Sequence, residues 1–224
     1  MPAKKDPPGP GNLPPDSRPF VGRRDELAWL RGELVSGGRL LTLVGVGGAG
    51  KTRLALRAAG AARDVHPDGV WLVELSALRA GDQVPPAVME TLVLVDHSTG
   101  SATEALSVWA QDKRLLLVLD SCEHVLTDCV TLVADLLAAA PGLRVLATSR
   151  ERLGMPGERV LTVDPLPPGD PEGRPPNHLQ DPSRLIAHPS AATASTSTST
   201  PSRTSPATTV VRAGSGVQSA KNSP

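Results

Sequence analysis

Five short apolar runs punctuate the middle of the chain, at residues 39–44, 70–75, 115–120, 144–149 and 159–163. They are mostly continuous rather than alternating, which is the pattern of strands covered on both faces. Helical spacing lies between most of them, at 51–62, 84–95, 102–111 and 123–139. In the last of these, Val125, Cys129, Leu132, Val133 and Leu136 fall on one stripe. The fourth and fifth runs are joined by a loop holding Gly154, Pro156 and Gly157. Strands alternating with helices predict an α/β fold. Its five-stranded parallel sheet sits between helical layers as a three-layer sandwich with right-handed crossovers.

The pattern fades at both ends. Residues 1–18 are rich in Pro and Gly and read as a disordered lead-in. Residues 169–224 are rich in Pro, Ser, Thr and Ala, contain no aromatic residue and include the run 194–200 of alternating Ser and Thr after Ala194. Such a segment buries too little apolar area to offset the entropy of ordering, so it reads as a disordered tail. One folded domain is expected, over residues 19–168.

The first apolar run ends in Gly45-Val46-Gly47-Gly48-Ala49-Gly50-Lys51-Thr52, and a helical pattern follows at once. G-x-x-x-x-G-K-T between a strand and a helix is the phosphate-binding P-loop. Its glycines let the backbone curl until several N–H groups face phosphate oxygens. The helix adds its positive N-terminal end. The phosphate cradle is assigned to Gly45, Gly47, Gly48, Ala49, Gly50, Lys51, Thr52 and Arg53. Lys51 reaches the β and γ phosphates and the Thr52 hydroxyl ligates Mg²⁺. ATP or ADP with Mg²⁺ is the expected ligand.

Three further residues complete the expected site. The third run, 115–120, is apolar and delivers Asp120 at its C-terminal end, the Walker B arrangement in which a carboxylate holds Mg²⁺. The next residue is Ser121, where an acidic residue would serve as base. Glu123 follows, either to polarise water or to complement the N-terminus of the next helix, and the helix-end role is preferred. Slow hydrolysis is therefore expected. The fourth run ends in Arg150, placed to touch a γ-phosphate at the sheet edge. The plainer alternative is one solvated arginine among several, with Arg144 and Arg152 nearby.

Composition narrows the setting. The 23 basic and 23 acidic residues cancel, so there is no bulk electrostatic pull toward nucleic acid or membrane. The two cysteines, Cys122 and Cys129, lack metal-ligand spacing and read as reduced thiols. The N-terminus has no secretory pattern and no apolar stretch is long enough to span a bilayer. A cytoplasmic location is the default. No helix-turn-helix signature appears, so direct DNA binding is unsupported.

Taken together, five segments resemble the nucleotide-binding domain of STAND-class ATPases, the signal-transduction relatives of NB-ARC and AAA+ proteins. Within that class the wording is similar to bacterial transcriptional regulators of the AfsR and LuxR-ATPase type. The segments are 20–27 (FVGRRDEL), 42–55 (TLVGVGGAGKTRLA), 70–75 (VWLVEL), 117–124 (LVLDSCEH) and 146–154 (LATSRERLG). The resemblance implies that Val21, Gly22 and Arg23 lie against adenine and ribose, and that Arg150 is the sensor arginine. It also implies a sheet with the P-loop strand at its centre, and protein partners in a full-length relative. The family's usual Asn after the Walker B aspartate is here Ser121. After residue 166 the family continues into a helical domain, whereas this chain drifts into its tail. The leading expectation is a regulatory nucleotide switch with slow or no hydrolysis. The alternatives are a small-molecule P-loop kinase and a truncated or frameshifted remnant without function.

Overall fold

The computed structural model describes residues 10–15, 20, 22–94 and 100–166. Val21, residues 1–9 of the expected lead-in and the expected tail at 169–224 lie outside the described residues.

Five strands form one parallel sheet: β1 (Leu40–Val44), β2 (Val70–Glu74), β3 (Leu116–Asp120), β4 (Arg144–Ser149) and β5 (Glu158–Thr162), in the order β2-β3-β4-β1-β5. Alternate residues of β1–β4 enter two separate cores, and β5 joins one of them through Leu161. Leu41 and Leu43 join Leu116, Val118, Leu146 and Leu161 on one face. On the other, Leu117 and Leu119 meet Val73, Val145 and Ala147. Both faces are buried, which is why the runs read as continuous rather than alternating. This is the anticipated α/β P-loop sandwich. The P-loop strand β1 lies inside the sheet, but β4 is central. Three strands lie on the β4 side of β1 and one, β5, on the other, so the centre shifts by one from the position the resemblance implied.

Helices α1 (Arg24–Ser36) and α2 (Lys51–Ala61) cover the first face. The second is covered by α3 (Val84–Thr91), α4 (Ala102–Ala110) and α5 (Leu126–Ala139). Helix α1 was not among the expected elements, although Leu27, Leu30 and Leu34 stand at helical spacing, and Leu30 and Leu34 are fully buried. Helix α3 stops at Thr91 rather than running to 95. Val93 takes a left-handed conformation (φ 56°), with Val93 N–H donating to Glu90 O and Leu94 N–H to Met89 O. These are Schellman bonds without the usual glycine, so the stop carries no residue-level signal.

Part of the expected lead-in is paired with the sheet. Asn12 N–H donates to Val70 O, Val70 N–H to Pro10 O, and the Asn12 side chain exchanges two hydrogen bonds with the Leu72 backbone (2.8 and 2.6 Å). Residues 10–12 thus cover the β2 edge, which would otherwise present unpaired backbone groups. A second difference is Glu158, expected to precede the fifth strand and found to begin it, fully buried. Its carboxylate accepts N–H bonds from Leu153, Gly154 and Met155 (2.9, 2.8 and 3.3 Å), so the connecting loop is closed by a charge with a full set of donors.

Candidate functional site

The chain leaves β1 on one face, through α2 to β2, and returns on the other, through α3–α5 to β3 and β4. The crevice between β1 and β4 at the strands' C-terminal ends is therefore the switch point where α/β sheets bind ligands. The P-loop fills it. Gly45 packs directly on the Val163 carbonyl, into which any Cβ would collide. Gly48 (φ 77°) and Gly50 (φ 88°) hold the left-handed turns that curl the loop. No side chain caps the N-terminus of α2, so its first N–H groups remain directed at the loop. Lys51 Nζ donates to Gly45 O (2.8 Å) and Val46 O (3.0 Å), which holds the ammonium against the loop rather than in solvent.

Asp120 joins this loop to the middle of the sheet. Its Oδ1 accepts from Thr52 Oγ1 (2.7 Å), 68 residues away in sequence, and from Thr148 Oγ1 (2.6 Å) on the neighbouring strand. Thr148 Oγ1 in turn accepts the Ser121 N–H (2.9 Å). Thr148 carries no assigned role in the sequence pattern. The signal was a polar residue ending an apolar strand, but Arg150 two places on drew the assignment. A hydroxyl and a carboxylate side by side are hard oxygen donors suited to Mg²⁺. Among the described residues there is no group of three or more His, Cys, Asp or Glu that could hold a metal. Thr52 and Asp120 therefore fit a cation whose remaining ligands are phosphate and water, and not an all-protein metal cage.

The strand ends supply one more pair. Arg150 is largely exposed, and its Nε lies 3.4 Å from Glu123 Oε1. Its guanidinium also borders the P-loop, with Nη2 at 3.8 Å from where a Gly47 Cβ would stand. Glu123 does not start a helix: it sits in a 3-10 turn, Cys122–His124, and α5 begins at Leu126 with Asp128 as the carboxylate in its first turn. The preferred helix-end role is thus replaced by an ion pair. Ser121 causes the displacement, because its left-handed backbone (φ 65°) breaks the chain direction before α5. Arg144, once grouped with Arg150, starts β4 at the opposite end of the sheet, and its guanidinium faces Glu33 O and Gly38 O. Cys122 and Cys129 are both buried and free. The Cys122 thiol is pushed well above its ordinary range by its hydrogen bond with Cys129, then by burial and the carboxylates of Asp120 and Glu123, and stays an inert thiol.

The segment before α1 braces the loop. Gly22 (φ 72°) and Arg23 (φ 59°) turn the chain into α1. The buried Arg23 side chain donates to Ala49 O (2.8 Å) in the P-loop and to Asp164 O after β5, and pairs with Glu26 (3.4 Å). Arg23 therefore ties three segments together by their backbone and carboxylate oxygens. The Arg53 guanidinium carbon lies 5.5 Å from the Phe20 ring centroid, with that of Arg57 at 5.9 Å.

No family model matches the chain. Over 130 residues it is 42% identical to a protein of Mycobacterium tuberculosis named as an HTH-type transcriptional regulator, covering 58% of this chain and 14% of that one. It is 28% identical over 180 residues to the regulatory protein AfsR of Streptomyces coelicolor, covering 71% of this chain and 17% of the relative. The chain thus spans about a seventh of the length of the first of these relatives. Among solved structures, a signal transduction ATPase with numerous domains from Pyrococcus horikoshii, carrying a tetratricopeptide repeat sensor, superposes with a TM-score of 0.45 at 18% identity, covering 67% of this chain and 24% of that one. The resemblance to AfsR-type regulators carried by the motifs is recovered in these comparisons. No described helix is long and apolar enough to cross a membrane.

Proposed function

We propose that this chain is the nucleotide-binding module of a regulatory ATPase, taking ATP or ADP with Mg²⁺ at the P-loop. The observation that carries the reading is the Thr52–Asp120 hydrogen bond, which joins the P-loop hydroxyl to the carboxylate at the end of β3. In the loaded site the backbone N–H groups from Gly47 to Thr52 and the N-terminus of α2 hold the phosphates, and Lys51 exchanges its two carbonyl partners for phosphate oxygens. Thr52 and Asp120 hold Mg²⁺, which neutralises phosphate charge. Arg150, at the loop's rim, reaches the γ-phosphate. Arg23 fixes the loop through Ala49 O, and the Gly22–Arg23 segment borders the base. The similarity to named regulators supports a switching role, with protein partners in the longer proteins and the cytoplasm as its setting.

Hydrolysis in this reading is slow, well below the median of about 10 s⁻¹ for enzymes. Ser121 occupies the position after the Walker B aspartate, and Glu123 faces Arg150. The test is calorimetry of Mg·ATP and Mg·ADP on the wild type and Lys51→Ala, with phosphate release measured alongside. Lys51→Ala is expected to weaken both nucleotides at least about 100-fold, or about 2.7 kcal/mol. Equal affinity in the two proteins would remove the phosphate-site assignment.

A further inference from the structure

Arg150 stands between two places for an anion. On one side is the P-loop at Gly47, and on the other is Glu123 Oε1. The two partners differ in how well they are satisfied. Arg150 is mostly in water, so its half of the ion pair is weakly held. Glu123 is three-quarters buried, and its second oxygen, Oε2, is buried without a hydrogen-bond partner. A buried carboxylate with an orphaned oxygen depends on its one cation, and removing that cation leaves the charge uncompensated. The residues are held apart from other candidates by their backbones. Glu123 is fixed by the 3-10 turn after Ser121, and Arg150 leaves the end of β4 directly.

We infer that Glu123 is an internal competitor for Arg150, a carboxylate that holds the arginine when no γ-phosphate is present and gives it up when one binds. The inference rests on the nucleotide reading above and specifies how that site distinguishes a nucleoside triphosphate from a diphosphate. A terminal phosphate carries more negative charge and more acceptor oxygens than one carboxylate, so it wins the guanidinium. The exchange strands Glu123 without its cation, which opposes the triphosphate. A diphosphate, lacking the group that reaches Arg150, leaves the Glu123–Arg150 pair in place. Glu123 thus lowers the preference of the site for ATP and acts as a positioning residue through Arg150. The same exchange frees the carboxylate in the triphosphate-bound protein alone.

The experiment is calorimetric titration of the full chain with Mg·ADP and with a non-hydrolysable Mg·ATP analogue, using wild type, Glu123→Gln, Arg150→Gln and the double variant. Glutamine keeps the shape of Glu123 without its charge, and Arg150 is exposed, so both variants keep the fold. Glu123→Gln is expected to tighten the triphosphate about two- to fivefold, the range of a partly exposed ion pair, and to leave the diphosphate unchanged. In the Arg150→Gln background the same substitution is expected to change neither. Nucleotide binding with an unaltered triphosphate-to-diphosphate ratio in Glu123→Gln overturns the inference and spares the nucleotide reading. So does a change that persists without Arg150. If neither nucleotide binds the wild type, the nucleotide reading fails and takes this one with it.

Discussion

The two ends of the sheet use their arginines in opposite ways. At the N-terminal end of the strands, Arg39 donates to Leu137 O (2.7 Å), Ala140 O (2.6 Å) and Leu143 O (3.4 Å), and Arg144 to Glu33 O and Gly38 O. Helices α1 and α5 finish here, and neither carries a basic residue in its last turn. Last-turn carbonyls of both, Glu33 O and Leu137 O, accept from arginines at the strand starts instead, which also answer the negative dipole ends. Burial and the neighbouring cations Arg114 and Arg39 hold the Arg144 guanidinium below its usual range. Even the buried charge of Glu158 is taken up by backbone N–H groups. At the C-terminal end the helix begins rather than finishes. The backbone there offers N–H groups, glycines replace side chains, and Arg150 stands in solvent beside them. Parallel strands joined by helices force this polarity. Cations at the N-terminal end are committed to the protein's own carbonyls, whereas at the other end Arg23 braces the loop through Ala49 O and Asp164 O and the exposed Arg150 remains available to an anion from outside.

That contrast is broken most directly by exchanging stability for binding at the two arginines. Arg39→Ala is expected to destabilise the domain by about 2–4 kcal/mol, since charged donors to three carbonyls are lost together, and to leave nucleotide affinity intact. Arg150→Gln is expected to cost about 1 kcal/mol or less of stability, the range of a partly exposed ion pair. Urea unfolding of the two variants decides it. A larger loss at Arg150 than at Arg39 would show that the exposed arginine is the structural one.

A smaller effect sharpens the picture of the N-terminal end. His66 is buried there, with Nδ1 donating to Ala62 O (2.8 Å) and Nε2 without a partner. Burial lowers its pKa below 6.5, the hydrogen bond to Ala62 partly opposes this, and Arg144 and Arg114 lower it further. A lowered histidine pKa means that the unfolded chain binds the proton first. The folded state therefore keeps its full stability above pH 6.5 and loses it as the pH falls from 6.5 toward the folded value. Urea midpoints between about pH 7.5 and 5.5 are expected to fall in the wild type and to fall less in His66→Leu. Parallel slopes in the two proteins would remove His66 as the titrating group.

The smallest effect lies at the site end. Ser121 is held in a left-handed conformation that Asn adopts more readily, and Asn is the residue the AfsR-type wording carries at this place. Ser121→Asn is expected to stabilise the domain by about 0.5 kcal/mol, or about 1–2 °C in Tm. A lowered Tm in thermal melts would mean that the Ser121 side chain contributes more than its backbone strain costs.

The sequence by itself determined the strands, the glycine-rich turn between β1 and α2, and the carboxylate that closes β3. Each is written locally: apolar runs of strand length, glycines where the backbone must curl, a carboxylate directly after a buried strand. Helix α5 was legible in its stripe and misplaced in its start, because the break at Ser121 is a backbone conformation on a residue that does not announce it. The end of α3 at Val93 escaped for the same reason. Other features have no local signature at all. Asn12 reaches the β2 edge across 60 residues, and Thr148 meets Asp120 across 28. Arg39 and Arg144 cap helices that precede or follow them by most of a domain, and Glu123 meets Arg150 only because β3 and β4 are neighbours. Such partners are chosen by which strand lies beside which. That order is set by packing two cores on the two faces of one sheet, and no single segment carries it.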